Sequence, residues 1–451
     1  MERDIQIFVD NVRGNNNHSG NQEAPVRTVG RAFNLLPPSW TKRAEIIFAV
    51  TDEEYIIDAP ALYFGTPIGS EASPLVIKGG YKDLFTLTAE GGSGDTVVTT
   101  ADVSADDLIG AVLTRVSGTG SPIGRTVSIR GNTAGPTSEI SLQQTIGAIE
   151  RGDTFKVQRP AVVLRPTRSL HLTSHDGRAT NCTLIGIKFA LNPRAQLALL
   201  NVRAHCDTCE FAFQSASGFV HTNARINGGI EDESLSRLVD PQRAQAGVYI
   251  HSSVATDIFS AVRNGVLSGH LTFKDMTVRI SQGGMLVPRS LEALRAPIQI
   301  LTGGSAFGQP VLETGQNSWG TATNKARIRN VAGDGLRVFN GGAFNSPVGP
   351  IHLDISGCTG DGIRLDMGST ASFGPPNGDD GLVTKGAANR KFGMNVRNAS
   401  RAIIGKDRPA DRLTGSDGDV ALDDGPRHLW SEVTLATPLS NAGMSLVRVN
   451  K

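Results

Sequence analysis

The sequence predicts an all-β chain wound as a solenoid, and three observations predict it. Two stretches nearly repeat each other, "ARIRNVAGDGLRVFNGG" from Ala326 and "LDISGCTGDGIRLDMGS" from Leu353, with Asp334 on Asp361, Leu336 on Ile363 and Val338 on Leu365, 27 residues apart. The same frame of apolar alternates recurs in "GVYIHSS" at Gly247 and "GMNVRNA" at Gly393, while "CTLIGIKFAL" from Cys182 matches "CDTCEFAFQS" from Cys206 at a shift of 24. Between these stretches lie Gly-rich turns and runs of Val, Ile and Thr, with 52 Gly and 5% aromatics, and no long helical period. A coil of two dozen residues cannot hide its own apolar face, so such repeats imply stacking on neighbours around a shared core.

The elements follow in order. "IQIFV" reads as a strand from Ile5 to Val9, followed by a polar Gly/Asn loop. A short helix is expected from Pro25 to Leu36, with Val26, Val29, Ala32, Phe33 and Leu36 on one face and Pro37 and Pro38 as its stop. It is too short to stand alone and needs an apolar surface, such as the open end of a stack of strands. "AEIIFAV", "EYIIDAPALYF" and "PLVIKGGY" continue as strands. The expected domains are 1–90 for the cap and first coils, 91–166 for a small antiparallel β insert, 167–406 for the main coils, and 407–451 for a short β module that caps or oligomerises.

Composition excludes several function classes. With 44 basic and 43 acidic residues the net charge is +1, which argues against nucleic acid as a partner. No apolar run reaches the roughly 20 residues of a membrane span. "MERDIQIFVD" shows no secretory signal, and four cysteines make no disulfide scaffold, so synthesis in a reducing cytoplasm is expected. No cofactor or metal is expected: Cys206 and Cys209 form a lone C-x-x-C beside His205, without the second ligand pair that zinc requires, and buried thiols in the core account for them.

The candidate chemistry sits on the coil turns and faces. Stacking of the two Gly-Asp-Gly turns puts Asp334 and Asp361 about 4.8 Å apart. Carboxylates that close either raise one pKa or hold a cation, so this is the nominal catalytic pair. "KFG" replaces "GDG" before Met394, so the coil itself does not require the Asp. Arg337, Arg364 and Asp366, with Asp354 and Arg397 near them, are outward candidates for binding; paired charges capping a solvated turn are the competing account. Tyr249 and His251, with Phe339 and Trp319, are expected on open faces where sugar rings could stack.

The segment "FVDNVRGNNNHSG...APVRTVGRAFNLLPP", with Asp10, Gly14, Asn15, Gly20, Pro25, Thr28 and Ala32, resembles the N-terminal segment of right-handed parallel β-helix proteins of the pectate-lyase-like class, especially phage tailspikes. The likeness covers about residues 1–90 and 166–405; "ERGDTFKV" and "GDVALDD...HLW" are similar to small β modules of phage virion proteins. The resemblance implies a spike or fibre in a virion tail, a homotrimer meeting other tail proteins and a bacterial surface polysaccharide, made in the host cytoplasm. The class also contains enzymes, so a polysaccharide hydrolase or lyase stays open, as does a secreted pectate-lyase relative. No catalytic role transfers residue by residue.

Overall fold

Alternation of apolar and polar residues along short strands is what the molecule uses to build its interior. The computed structural model describes residues 4–41, 43–67, 75–119, 123–174, 180–214, 218–222, 224–228, 247–253, 258–261, 265–307, 309–311, 316–318, 326–346, 353–373, 383–384, 389–404, 416–423, 432–435 and 447–449. They are nearly all β with a single short helix, and the chain divides into two units: Met1–Ser253 with His270–Thr272, and Val254–Gly269 with Phe273–Lys451.

In the first unit, successive coils contribute strands to three parallel ladders. One runs Ile5–Val9, Ala44–Phe48, Leu75–Lys78, Thr180–Ile185, Val202–Asp207 and Arg225–Gly228. Register stacks Ile7, Ile46, Ile77, Leu184 and Cys206 into one buried column. The second ladder stacks Tyr55, Leu164, Phe189, Phe211 and Ile250, again all buried. Phe189 and Phe211 lie face to face, 5.4 Å between centroids. The third joins Ala61–Phe64, Leu170–Ser174, Gln196–Leu200 and Gly218–Thr222. Single residues at positive φ turn one strand into the next, such as Gly186 between Ile185 and Ile187 and Thr208 between Asp207 and Cys209.

The shift of 24 is corrected by this register. Cys182 stands opposite Ala204, and Phe189 opposite Phe211, two residues short of it. A two-residue slip keeps every side chain on its own face, so apolar alternation alone cannot detect it. "GVYIHSS" likewise belongs elsewhere: Val248–Ser252 pairs with Cys209–Phe213, not with the column of Leu336.

The helix is Val29–Leu35, shorter than Pro25–Leu36, because Thr28 caps it: its side chain accepts from the Arg31 N–H at 3.3 Å. Val26 is drawn instead into a parallel bridge with Val9. Val29, Ala32 and Phe33 are buried, with Phe33 against Phe64 at 5.5 Å. "EYIIDAPALYF" divides into Tyr55–Ile57 and Ala61–Phe64, which join different ladders.

Strands Tyr81–Ser93, Thr96–Thr99, Val112–Ser117, Thr126–Asn132, Ser138–Leu142 and Thr154–Pro160 close an antiparallel barrel within this unit. Its core holds Leu87, Val97, Leu113, Ile129, Ile140 and Phe155. Gly110, at φ +79, approaches the ring of Tyr249 so closely that a Cβ would overlap it. Gly110→Ala is therefore expected to cost about 1–3 kcal/mol through strain and overpacking, read as a lowered urea midpoint.

In the second unit, Thr277–Ile280, Ile298–Leu301, Leu336–Phe339, Ile363–Asp366, Phe392–Arg397, Gly418–Asp423 and Val447–Val449 pair in parallel. The shift of 27 holds, with Leu336 on Ile363 and Val338 on Leu365, and Met394 continues on Ile363. Val278, Ile298, Leu336, Ile363 and Met394 form a column with no solvent exposure. A second ladder joins Met285–Leu294, Ser305–Phe307, Ala343–Ser346, Thr370–Phe373, Arg401–Ile404 and Glu432–Leu435, and a third carries Met285–Leu294, Ala326–Arg329, Leu353–Ser356 and Val383–Thr384. Among the described residues between 407 and 451, the strands Gly418–Asp423, Glu432–Leu435 and Val447–Val449 thus lie parallel to earlier ones.

Candidate functional site

The Gly-Asp-Gly turns stack, and their carboxylates join coil to coil. The Asp361 N–H donates to Asp334 Oδ1 at 2.9 Å, and the Phe392 N–H donates to Asp361 Oδ1 at 3.2 Å. Each Asp therefore satisfies the amide at the corresponding position of the next coil. Phe392, having no carboxylate, ends the series, which is why "KFG" can replace "GDG". Asp361 is buried and also accepts from Asn395 Nδ2 at 3.0 Å. Burial, reinforced by the nearby Asp334 carboxylate, holds the Asp361 pKa above the ordinary 3.8 despite those two hydrogen bonds.

Arg364 binds this turn to the strand beyond it. Its Nη1 is 3.5 Å from Asp334 Oδ2 and its Nη2 is 3.1 Å from Asp366 Oδ2. Burial opposes ionisation of Asp366, yet hydrogen bonds from Asn398 and Arg364 prevail and keep its pKa below 3.8. Arg337 is the strand neighbour of Arg364, and its guanidinium carbon lies 4.4 Å from the Phe339 ring centre. Asp334, Asp361, Arg364 and Asp366 are thus one contacting cluster, with Arg337 beside it. Chemically it offers in Asp361 a carboxyl that resists ionisation, in Asp366 one whose partners favour ionisation, and an arginine against an aromatic ring.

Tyr249 and His251 belong to the first unit and form a separate cluster. They were expected on an open face; the Tyr249 ring does point out of its coil but is buried, because Gly110 and Arg159 of the barrel cover it. His251 stacks on Tyr249 at 4.5 Å and contacts Glu210 Oε1 at 2.7 Å. Glu210 was not anticipated. It is buried, with Lys188 Nζ at 2.7 Å and Arg159 Nη1 at 3.8 Å. Burial would raise its pKa, but His251 and Lys188 outweigh burial and lower it to about 2. The signal lay in the register: at the observed pairing Lys188 stands opposite Glu210, whereas a shift of 24 puts Lys188 on Ala212.

The cysteines are buried free thiols. Burial raises Cys182 to about 12, and Cys206 is raised by its hydrogen bond with Cys209 and then by burial. Cys209 Sγ donates to the Leu184 carbonyl at 3.2 Å. These are packing roles for the C-x-x-C. Trp319 lies outside the described residues.

No protein-family model matches the chain, and no curated protein matches it. Among solved structures it is similar to a glycoside hydrolase at 10% identity, covering 93% of this chain and 96% of that one, with a TM-score of 0.23. It is similar to the tailspike protein gp49 from Pseudomonas phage LKA1 at 10% identity over 87% and 73% of the two chains, with a TM-score of 0.22. A lacto-N-biosidase from Eubacterium ramulus is 10% identical over 95% and 67%, with a TM-score of 0.26. At such scores no residue and no activity is carried from them to this chain.

Proposed function

We propose that the chain is a right-handed parallel β-helix serving as a spike or fibre component of a phage tail, where it binds a glycan on the host surface. The observation that carries this reading is the register itself. Within each unit, strands that repeat in parallel every two to three dozen residues set their outward positions in rows across successive strands. A linear polymer is the partner that such rows fit. On this reading the chain assembles as a homotrimer with other tail proteins, and 407–451 helps to close the last coils. Of the predicted binding residues, Arg337 and Arg364 lie half-buried on the outward face of the second unit and Asp366 is buried beside Arg364; Tyr249 and His251 join barrel to coil instead.

A second reading has one observation in its favour, the raised pKa of Asp361 beside Asp334. Two neighbouring carboxyls, one of which resists ionisation, are what a glycosidase uses. Against it stand the backbone amides that occupy an oxygen of each carboxylate. One experiment separates the two readings. The full-length protein is incubated with purified host capsule and lipopolysaccharide, and both binding and fresh reducing ends or unsaturated sugars are measured. Binding without new ends is expected, unchanged in Asp361→Asn. Turnover abolished by that substitution would establish the enzyme instead, and absence of any binding would remove the glycan-binding function.

A further inference from the structure

We propose that Cys206 and Cys209 are a latent disulfide: two thiols held at the corner where the barrel meets the coils, which close into one S–S bond when a small-molecule disulfide reaches them. The corner consists of Cys206, Asp207, Thr208, Cys209 and Glu210, all buried. Thr208, at φ +51, turns the strand Val202–Asp207 into Cys209–Phe213. Cys206 therefore lies in the column of Leu184, while Cys209 alternates with Phe211 of the next column, and both face the shared interior.

Their sulfurs meet there. Cys206 is hydrogen-bonded to Cys209. Independently, Cys209 Sγ donates to the Leu184 carbonyl at 3.2 Å, and Leu184 is the strand partner of Cys206. The Cys209 sulfur thus reaches the residue that stacks against Cys206. A disulfide demands a short approach of the two side chains, and sulfurs already in contact lie within reach of it. The other two cysteines are placed differently: Cys182 stands opposite Ala204, and Cys358 belongs to the second unit.

The same corner carries the barrel. The Tyr81 hydroxyl donates to Asp207 Oδ2 at 3.2 Å, and Arg159 Nη1 is 3.8 Å from Glu210 Oε2. Tyr81 opens the first barrel strand and Arg159 lies near the end of the last. The bond would enclose Asp207 and Thr208, so its constraint acts where these contacts are made. In the closed fold the pair is sealed. The mutual hydrogen bond and then burial hold the Cys206 thiol well above its ordinary value, which leaves little thiolate to attack. Reaction therefore waits for local opening of the corner. One cysteine, as thiolate, then attacks a disulfide R–S–S–R, giving a mixed disulfide and one departing thiolate. The other attacks the protein sulfur of that intermediate, the Cys206–Cys209 bond forms and the second thiolate leaves. Two electrons pass to the reagent, and the two cysteine protons end on two molecules of RSH.

The test uses the full-length reduced protein and oxidised glutathione at one temperature, without urea and in urea just below the unfolding midpoint. Samples are quenched in acid, unfolded, alkylated with iodoacetamide and mapped by peptide mass spectrometry. In urea, Cys206 and Cys209 are expected to join while Cys182 and Cys358 remain available for alkylation; without urea the same bond should form on the order of a hundredfold more slowly. After removal of urea the closed form should melt above the reduced form. Cys209→Ala, which keeps a small apolar side chain, should abolish that difference, and Cys358→Ala should retain it. Four free thiols in urea, a bond to Cys182 instead, or a closed form that melts below the reduced one would overturn the proposal. Equal rates with and without urea would overturn the sealing of the pair by the fold.

Discussion

Ile363→Asp is expected to abolish folding of the second unit, at a cost above about 4–5 kcal/mol. Ile363 has no solvent exposure, and its neighbours along the column are Leu336 and Met394, with Ile298 and Val278 beyond. A carboxylate there finds no cation: Arg364 points to the other face and is already held by Asp334 and Asp366. An isolated buried carboxylate protonates instead, and the neutral acid without a hydrogen-bond partner still costs a few kcal/mol. The damage also spreads, because every coil borrows its apolar cover from the two beside it. Ile363→Val removes one methylene and keeps the column, so about 0.5–1.5 kcal/mol is expected. Urea unfolding followed by circular dichroism distinguishes them: Ile363→Val should show a modest midpoint shift, Ile363→Asp no cooperative second-unit transition. A midpoint for Ile363→Asp near that of the wild type would mean that this column is not what holds the unit together.

How far the sequence speaks depends on which physical feature is asked about. The pairing of Leu336 with Ile363 was legible because the shared Gly-Asp-Gly turn fixes the register where both strands begin, and Met394 keeps the same frame after "KFG". The Cys182 and Cys206 pair had no such turn, and alternation with a period of two tolerates a slip of two without penalty. That slip concealed the Lys188–Glu210 pair. Asp334 and Asp361 were visible as neighbours, but their bonds to backbone amides were not, since residue type does not reveal which atom a carboxylate reaches. The burial of Tyr249 was illegible for a different reason. Alternation correctly points its ring out of the coil, and only the fold of residues 81–160 decides that Gly110 and Arg159 cover it. The helix was foreseen on its apolar face, while its start was set by the Thr28 cap, which draws Val26 into the strand layer.

Glu210→Ala is expected to destabilise the first unit by about 3–5 kcal/mol, the range for removing one partner of a buried ion pair. Glu210 is the acceptor on which Lys188, His251 and Arg159 converge, and without it three nitrogen-bearing side chains face one another where coil meets barrel. Its pKa gives a second, independent signature. Lowered from the ordinary 4.5 of a glutamate to about 2, it favours the folded state whenever ionised. That contribution, on the order of 3 kcal/mol, is fully present above the unfolded value of 4.5 and is lost as pH falls through about 2. Asp361 acts with the opposite sign in the second unit. Its pKa is raised above 3.8, so protonation in acid relieves that unit instead of weakening it. Acid should therefore loosen the Glu210 cluster first. Melting temperatures of wild type and Glu210→Gln, measured as pH is lowered from neutrality, are expected to differ most near pH 7 and to converge toward about pH 2. Parallel curves across that range would show that Glu210 is not the ionised centre of the contact, whatever its distances to Lys188 and His251.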